Sequence, residues 1–165
     1  MLTSDGIFDP SPPSGREGED GPRVLDLYAG SGALAFEALS RGASRAVLVE
    51  HAREAIAAIR ENARALQAEE LVQVFPTKVD RATSKIEGRF GLVFVDPPYV
   101  DVRARGFVEI LAGAAALVAP GATLVLEHAS TDPPPAVSGL DLDRSRRYGD
   151  TTLTFYRGGN PVTER

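Results

Sequence analysis

Val24-Leu25-Asp26-Leu27-Tyr28-Ala29-Gly30-Ser31-Gly32 is the stretch on which the fold turns. Val24 to Leu27 has the apolar character of a short buried strand and runs straight into two closely spaced glycines. Leu34 to Arg41 then keeps helical spacing until Gly42 stops it. Glycines at such a turn let the backbone approach a ligand closely and open the helix at its electropositive end. Ala29-Gly30-Ser31-Gly32-Ala33 lacks the third glycine of the dinucleotide fingerprint, and no Gly-Lys-Ser/Thr follows, so the turn is not a phosphate loop. It suits a nucleotide-like cofactor, although a plain tight connection could carry the same residues. Asp26 is the anomaly in the strand: a carboxylate among apolar residues needs partners, which amides of the glycine loop or a cationic amino-acid moiety of a cofactor would supply.

The same alternation continues downstream. Ala46-Val47-Leu48-Val49 reads as a second buried strand ended by Glu50, 18 positions after Gly32. That is close to the ~20-residue interval at which an acid meets ribose hydroxyls in nucleotide-binding sheets. From Ala52 to Leu66, Ile56, Ile59, Ala63 and Leu66 recur at three- and four-residue spacing, which predicts an amphipathic helix lying on a sheet. Val72 to Phe75 follows as a strand, with a turn or helix near Asp80 to Ile86. Leu92-Val93-Phe94-Val95 is the next strand, Phe107 to Leu117 a helix closed by Pro120-Gly121, and Thr123 to Glu127 another strand. Strands alternating with helices imply a parallel sheet covered on both faces and joined by right-handed crossovers. Arg144 to Tyr148 and Thr151 to Tyr156 flank Gly149-Asp150, a short-turn signal for an antiparallel hairpin.

The strand ending at Val95 delivers Asp96-Pro97-Pro98-Tyr99 to the carboxyl edge of the sheet, where α/β folds bind ligands. The two prolines donate no hydrogen bond and fix φ, turning their carbonyls outward. Asp96 and the Pro97 carbonyl could accept both hydrogens of an amino group, and Tyr99 could stack on the base that carries it. A proline-stiffened strand exit with a capping Asp is the plainer alternative.

Composition narrows the classes. At 165 residues and 43% hydrophobic content the chain can bury one domain's core. The expected organisation is a flexible acidic Pro/Gly-rich arm over residues 1–22, a folded domain over 23–158 and a tail over 159–165. The absence of cysteine removes disulfides and thiolate metal sites, and only His51 and His128 remain as imidazoles, so no metal is expected. No apolar run is long enough to span a membrane and no signal-peptide pattern opens the chain, so a cytoplasmic protein is expected. The net charge of −5 argues against a strongly basic nucleic-acid binder, but residues 1 to 23 hold most of it, with five acids against Arg16 and Arg23.

Asp-Leu-Tyr-Ala-Gly-Ser-Gly at 26–32, the strand-end Glu50 and Asp-Pro-Pro-Tyr at 96–99, in that order, resemble the class I S-adenosylmethionine-dependent methyltransferases that modify exocyclic amines. The run from Gly32 to Ala43, Val47 to Glu50 and Tyr148-Gly149-Asp150-Thr151 are most similar to the bacterial family that methylates guanine N2 in 16S ribosomal RNA, the RsmD family. The resemblance implies a Rossmann-like, mostly parallel seven-stranded sheet with helices on both faces and a C-terminal antiparallel hairpin. It implies S-adenosyl-L-methionine as cofactor and ribosomal RNA within the small subunit as partner. Asp26 with Gly30, Ser31 and Gly32 would meet the cofactor's methionine part, Glu50 its ribose, His51 the adenine face and Asp80 the adenine amino group, with Tyr28 a further cofactor-binding residue. Asp96, Pro97, Pro98 and Tyr99 would be the catalytic corner.

Members of that family usually begin with a basic segment and an Arg-containing helix, which the acidic start here does not match. Arg103, Arg105 and Arg147, with Arg144 and Arg146, are then the candidates for phosphate contact. Two alternatives stay open: another amine substrate, such as adenine N6 in DNA or RNA or a glutamine side chain, or a catalytically impaired cofactor-binding module.

Overall fold

A computed structural model of the chain describes residues 21–98 and 106–159. The elements run β1 (Arg23–Leu27), α1 (Ala33–Ser40), β2 (Arg45–Glu50), α2 (Arg53–Ala65), β3 (Val72–Pro76), α3 (Val79–Ala82), β4 (Phe90–Val95), α4 (Phe107–Leu117), β5 (Val118–Ala129), β6 (Leu140–Tyr148) and β7 (Thr151–Gly158). The strands form one seven-stranded sheet in the order β3-β2-β1-β4-β5-β7-β6. The first five are mutually parallel, and β7 runs antiparallel between β5 and β6. This is the Rossmann-like arrangement the resemblance implies, hairpin included. The chain winds outward from β1 through β2 to β3, then returns so that β4 pairs with β1 on its other side. The crevice beyond the carboxyl ends of β1 and β4 is therefore the switch point at which such sheets bind ligands.

Alternation along the strands sorts the core into two layers. Leu25, Leu27, Val47, Val49, Val93, Val95, Leu124 and Leu126 point to one face, where they pack with Val79 and Ala82 of α3 and Leu111 and Ala114 of α4. Val24, Ala46, Leu48, Phe94 and Val125 point to the other, against Ala35, Phe36 and Ala38 of α1 and Ile59 and Ala63 of α2. Burial on both faces is why these strands read as unbroken apolar runs. The hairpin is sewn on by polar contacts: buried His128 sits 2.7 Å from the Thr154 hydroxyl, which lies 2.9 Å from the hydroxyl of Ser145 on β6. Tyr156, fully buried, donates its hydroxyl to the Pro135 carbonyl at 2.7 Å and anchors the long β5–β6 connection.

Three details depart from the pattern read in the sequence. Leu66 is 60% exposed, because α2 ends at Ala65 and the chain reverses with Gln67 left-handed at φ 53°. The amide of Ala68 then bonds the Ala63 carbonyl at 2.8 Å, so Ala68 takes the core place that the helical period assigns to Leu66. β5 begins at Val118, not Thr123: Phe90 pairs with Val118 and Leu92 with Thr123, and Pro120-Gly121 forms the irregularity between them, with Gly121 at φ 72°. β6 likewise starts four residues early, at Leu140, with a register shift between Leu142 and Arg144.

Candidate functional site

Four carboxylates interrupt the apolar strands at one end of one face. In register, Leu27 pairs with both Val49 and Val95, and Val95 with Leu126. The next residue on β2, β4 and β5 is therefore Glu50, Asp96 and Glu127, level at the carboxyl edge and on the α1/α2 face, with Asp96 and Glu127 on adjacent strands and Glu50 on the far side of β1. Asp26 of β1 lies on that face one pleat deeper. Asp26 is 1% exposed, Glu50 9% and Glu127 4%, which makes them three of the few buried acids in the chain. Among the described residues no three His, Asp or Glu are arranged to hold a metal ion. The row spans four strands, and what such a row suits is an extended organic cation.

Asp26 sets the electrostatics. It accepts a hydrogen bond from the Ala35 amide in the first turn of α1, but its Oδ2 is buried with no partner. Burial, reinforced by the nearby charges of Asp96 and Glu50, pushes its carboxyl up to about 8 despite the Ala35 bond. An orphaned, proton-holding carboxyl one pleat below the carboxyl edge of the sheet is a group that a cationic partner would complete.

Glu50 is better satisfied. Its Oε2 accepts from the Gly30 amide at 2.9 Å, and its Oε1 from the amides of His51 at 2.7 Å and Ala52 at 2.9 Å. It thus ties the glycine turn to the entry of α2. Three of its roughly four acceptor positions are used, which leaves Oε2 able to take one hydroxyl. His51 is exposed, with Nδ1 3.4 Å from Glu50 Oε1.

The turn itself is built from left-handed residues. Tyr28 sits at φ 64°, unusual for a bulky side chain, Gly30 at φ 57° and Gly32 at φ 82°. The Ala29 amide donates to the Val49 carbonyl at 3.0 Å, and the Gly32 amide to the Ala29 carbonyl at 2.8 Å. The two glycines do different things. A Cβ on Gly30 would meet nothing within 4 Å, leaving an open cradle, whereas one on Gly32 would lie 2.8 Å from the Phe36 ring and 2.9 Å from Leu48 Cδ2. Gly32→Ala is therefore expected to cost about 2–3 kcal/mol through strain and overpacking, a fall in Tm of roughly 6 °C. Gly30→Ala, with strain alone, should cost about 1 kcal/mol while filling the cradle. Thermal melts of the two variants check the difference.

Asp96 leaves β4 half-buried, followed by buried Pro97 and exposed Pro98. Burial first, and the charge and hydrogen-bonding side chain of Glu127 next, push its carboxyl up to about 6. Asp26, Gly30, Gly32, Glu50, Asp96 and Pro97 thus come together around the switch point, with Tyr28 and exposed Ser31 on the turn between them. Asp80 is exposed in α3, after the carboxyl end of β3. Tyr99, Arg103 and Arg105 lie outside the described residues. Arg147 pairs with Thr152 and so faces away from the acids, its Nε donating to the Gly149 carbonyl at 2.9 Å. Arg144 and Arg146, opposite Phe155 and Leu153, are on the acids' face, Arg144 with its guanidinium 4.3 Å over the Phe155 ring. The residue that sequence reasoning passed over is Glu127. Its signal was present: like Glu50, it is an acid closing an apolar strand.

Comparison with known proteins agrees with this architecture. The model of the family described as "Conserved hypothetical protein 95" matches residues 12–157. The chain is 31% identical over 141 residues to "Putative rRNA methyltransferase YlbH" of Bacillus subtilis, covering 84% of this chain and 77% of that protein. It is 32% identical over 78 residues to "Ribosomal RNA small subunit methyltransferase D" of Buchnera aphidicola, which spans 47% of this chain and 40% of that one. Among solved structures, "Putative methyltransferase yhhF from Escherichia coli" superposes with a TM-score of 0.76 at 27% identity, over 85% of this chain and 78% of that one. By matched residues and by fold together, the chain belongs to the conserved hypothetical protein 95 family, the RsmD-like branch of the class I methyltransferases.

Proposed function

We propose that this chain is a ribosomal RNA methyltransferase that uses S-adenosylmethionine to methylate the exocyclic N2 amine of a guanine in small-subunit RNA. One observation carries the reading: Asp96-Pro97-Pro98 leaves β4 directly across the switch point from the glycine turn, with Asp96 on the same face as the orphaned Asp26. A cationic donor at Asp26 and an amine acceptor at Asp96 would meet there. The names of the relatives support the reaction class and ribosomal RNA as its target.

Bound in the crevice, S-adenosylmethionine supplies an electrophilic methyl group on a positively charged sulfur. The chain's own residues do the rest. Asp26 Oδ2 takes the donor's ammonium, the Gly30–Gly32 turn admits its backbone-like portion, and Glu50 Oε2 accepts a ribose hydroxyl. His51 would pack against the adenine and Asp80 would accept from its amino group. Asp96 and the Pro97 carbonyl accept the two hydrogens of the target amine, turning a conjugated and poorly nucleophilic lone pair toward the methyl; Tyr99 stacks on the base. Most of the acceleration is positional. Arg103, Arg105 and the hairpin arginines, Arg146 on the acids' face foremost, meet RNA phosphates.

The test is transfer of labelled methyl from S-adenosylmethionine to unmethylated small ribosomal subunits, naked 16S RNA, DNA and protein. Label recovered as N2-methylguanine from the small-subunit RNA is the expected result. Label on adenine or glutamine, or donor binding with no transfer to any acceptor, would overturn it.

A further inference from the structure

The charges of β6 are sorted along its length. Asp141 and Asp143 lie toward its start, whereas Arg144, Arg146 and Arg147 crowd the half that rises to the carboxyl edge of the sheet. Two of those arginines are held. Arg144 pairs with Asp143 at 2.7 Å and lies over the Phe155 ring, and Arg147 donates to the Gly149 carbonyl. Arg146 is exposed and, among the described residues, has no ion-pair or hydrogen-bond partner. Two residues on, Tyr148 pairs with Thr151, which pairs with Ala129, so Tyr148 shares the face of Arg146, Glu127 and Asp96. Tyr148 is 49% exposed, one of the few large hydrophobic side chains so placed, and its hydroxyl also has no partner among the described residues.

Other residues fix the tip that presents this pair. Gly149 takes the left-handed position of a two-residue turn at φ 61°. Ser130 donates its amide to the Asp150 carbonyl at 2.8 Å and its hydroxyl to the Gly149 carbonyl at 3.2 Å. Ser130 also bonds Thr152, the partner of Arg147, so both residues that hold Gly149 do so from the face opposite the acids. Tyr148 takes no part in holding the turn, and the fold does not account for an aromatic ring exposed there.

From this arrangement we propose that Arg146 and Tyr148 form a second nucleotide subsite, for an unpaired nucleotide a few positions from the target in the RNA strand. Tyr148 stacks on its base and Arg146 takes a phosphate. The inference rests on the reading above of an RNA amine as acceptor, and names what the strand must offer beside it. Arg146 is level with Asp96 across β5 and β7, three strand spacings or roughly 14 Å away. A base whose amine reaches Asp96 has left its stack, so its neighbours can follow the sheet edge to the tip. With a net charge of −5 the chain has little general attraction for phosphate, so a few arginines need a second source of grip. Base stacking on an aromatic ring supplies it without reading sequence.

The test measures binding of a short fluorescein-labelled oligouridylate by anisotropy over a series of salt concentrations, with no donor present, beside a duplex RNA of the same length. Tyr148→Leu is expected to weaken oligouridylate binding about tenfold without changing its salt dependence. Tyr148→Phe, which keeps the ring, should bind as the wild type does. Arg146→Ala should reduce the slope of log affinity against log salt by about 0.7. Duplex RNA, whose bases are already stacked, should not distinguish Tyr148→Leu from wild type. In methyl transfer to small-subunit RNA, Tyr148→Leu should raise KM about tenfold with kcat within about twofold. Both side chains are exposed, so melting temperatures should stay within about 3 °C of wild type. The subsite is overturned if Tyr148→Leu leaves oligouridylate affinity intact, even where the tip binds a protein instead. Equal weakening by Tyr148→Phe or toward duplex RNA, a salt slope that Arg146→Ala leaves in place, or no binding of single strands by the wild type would overturn it as well. Failure of the methylation reading looks different: the wild type then holds oligouridylate through Tyr148 but transfers no methyl group to any RNA.

Discussion

Asp96→Ala is expected to lower the rate of methyl transfer by about 10²- to 10³-fold while the Kd for S-adenosylmethionine stays within about threefold. The division follows from position. Asp96 stands at the exit of β4, on the opposite side of the switch point from the Glu50–Gly30 contact and the Asp26 orphan, which are the donor's proposed anchors. Removing its carboxylate deletes an acceptor for the amine hydrogens but no proposed contact to the donor. It also removes one of the negative charges that raise Asp26, so Asp26 ionises more readily for the donor, which offsets the loss of the Asp96 charge from the row. Isothermal calorimetry with the donor, beside a labelled-methyl assay on small-subunit RNA, measures both halves. Equal loss of binding and transfer would show that Asp96 serves the donor or the fold, and would sink the assignment.

Much of this architecture can be read without coordinates, for a physical reason. Parallel strands buried on both faces have to be apolar throughout, so Val24 to Leu27, Ala46 to Val49 and Leu92 to Val95 announce themselves, and an acid inside or just beyond such a run stands out against them. Asp26, Glu50 and Asp96 were visible on those terms. Glu127 satisfies the same rule, yet it precedes His128 within a strand that runs on to Ala129, so its position at the functional edge depends on the β4–β5 register. Register is also what separates Arg146 from Arg147. Adjacent arginines look interchangeable in the sequence, but alternation sends one to the acids' face and the other away, and the bulge between Leu142 and Arg144 decides which. The strand starts at Val118 and Leu140 were hidden by Pro120-Gly121 and by alternating Asp residues, both of which read as loop. That Ala68 and not Leu66 enters the core depends on a left-handed Gln67, a conformation for which glutamine gives no signal.

Asp26→Asn should make the free protein more stable and the donor-bound protein much weaker, a pair of opposite changes that a purely structural residue would not produce. The folded chain holds the Asp26 carboxyl at about 8, against 3.8 when ordinary, because burial outweighs the Ala35 amide and the Asp96 and Glu50 charges add to it. Folding therefore raises the group's affinity for protons. Its favourable contribution is complete below pH 3.8 and is lost as pH rises toward 8, so at pH 7 the acid burdens the folded state by on the order of 2–4 kcal/mol. Asparagine copies the protonated form and escapes that burden. Its Tm should match the wild type near pH 4 and exceed it by about 5 °C or more at pH 7. The same carboxylate, once ionised, is what a cationic donor needs. Wild-type binding should thus release a proton below pH 8 and tighten as pH rises to that value, up to about tenfold per unit. The variant should show neither proton release nor pH dependence from this group, with affinity about 100-fold weaker for want of a charge-assisted bond. Calorimetry in two buffers of different ionisation enthalpy reads the proton directly. If Asp26→Asn destabilises the free protein at pH 7 and leaves donor binding untouched, the buried carboxylate is a structural fixture, and the cation-binding role assigned to it is wrong.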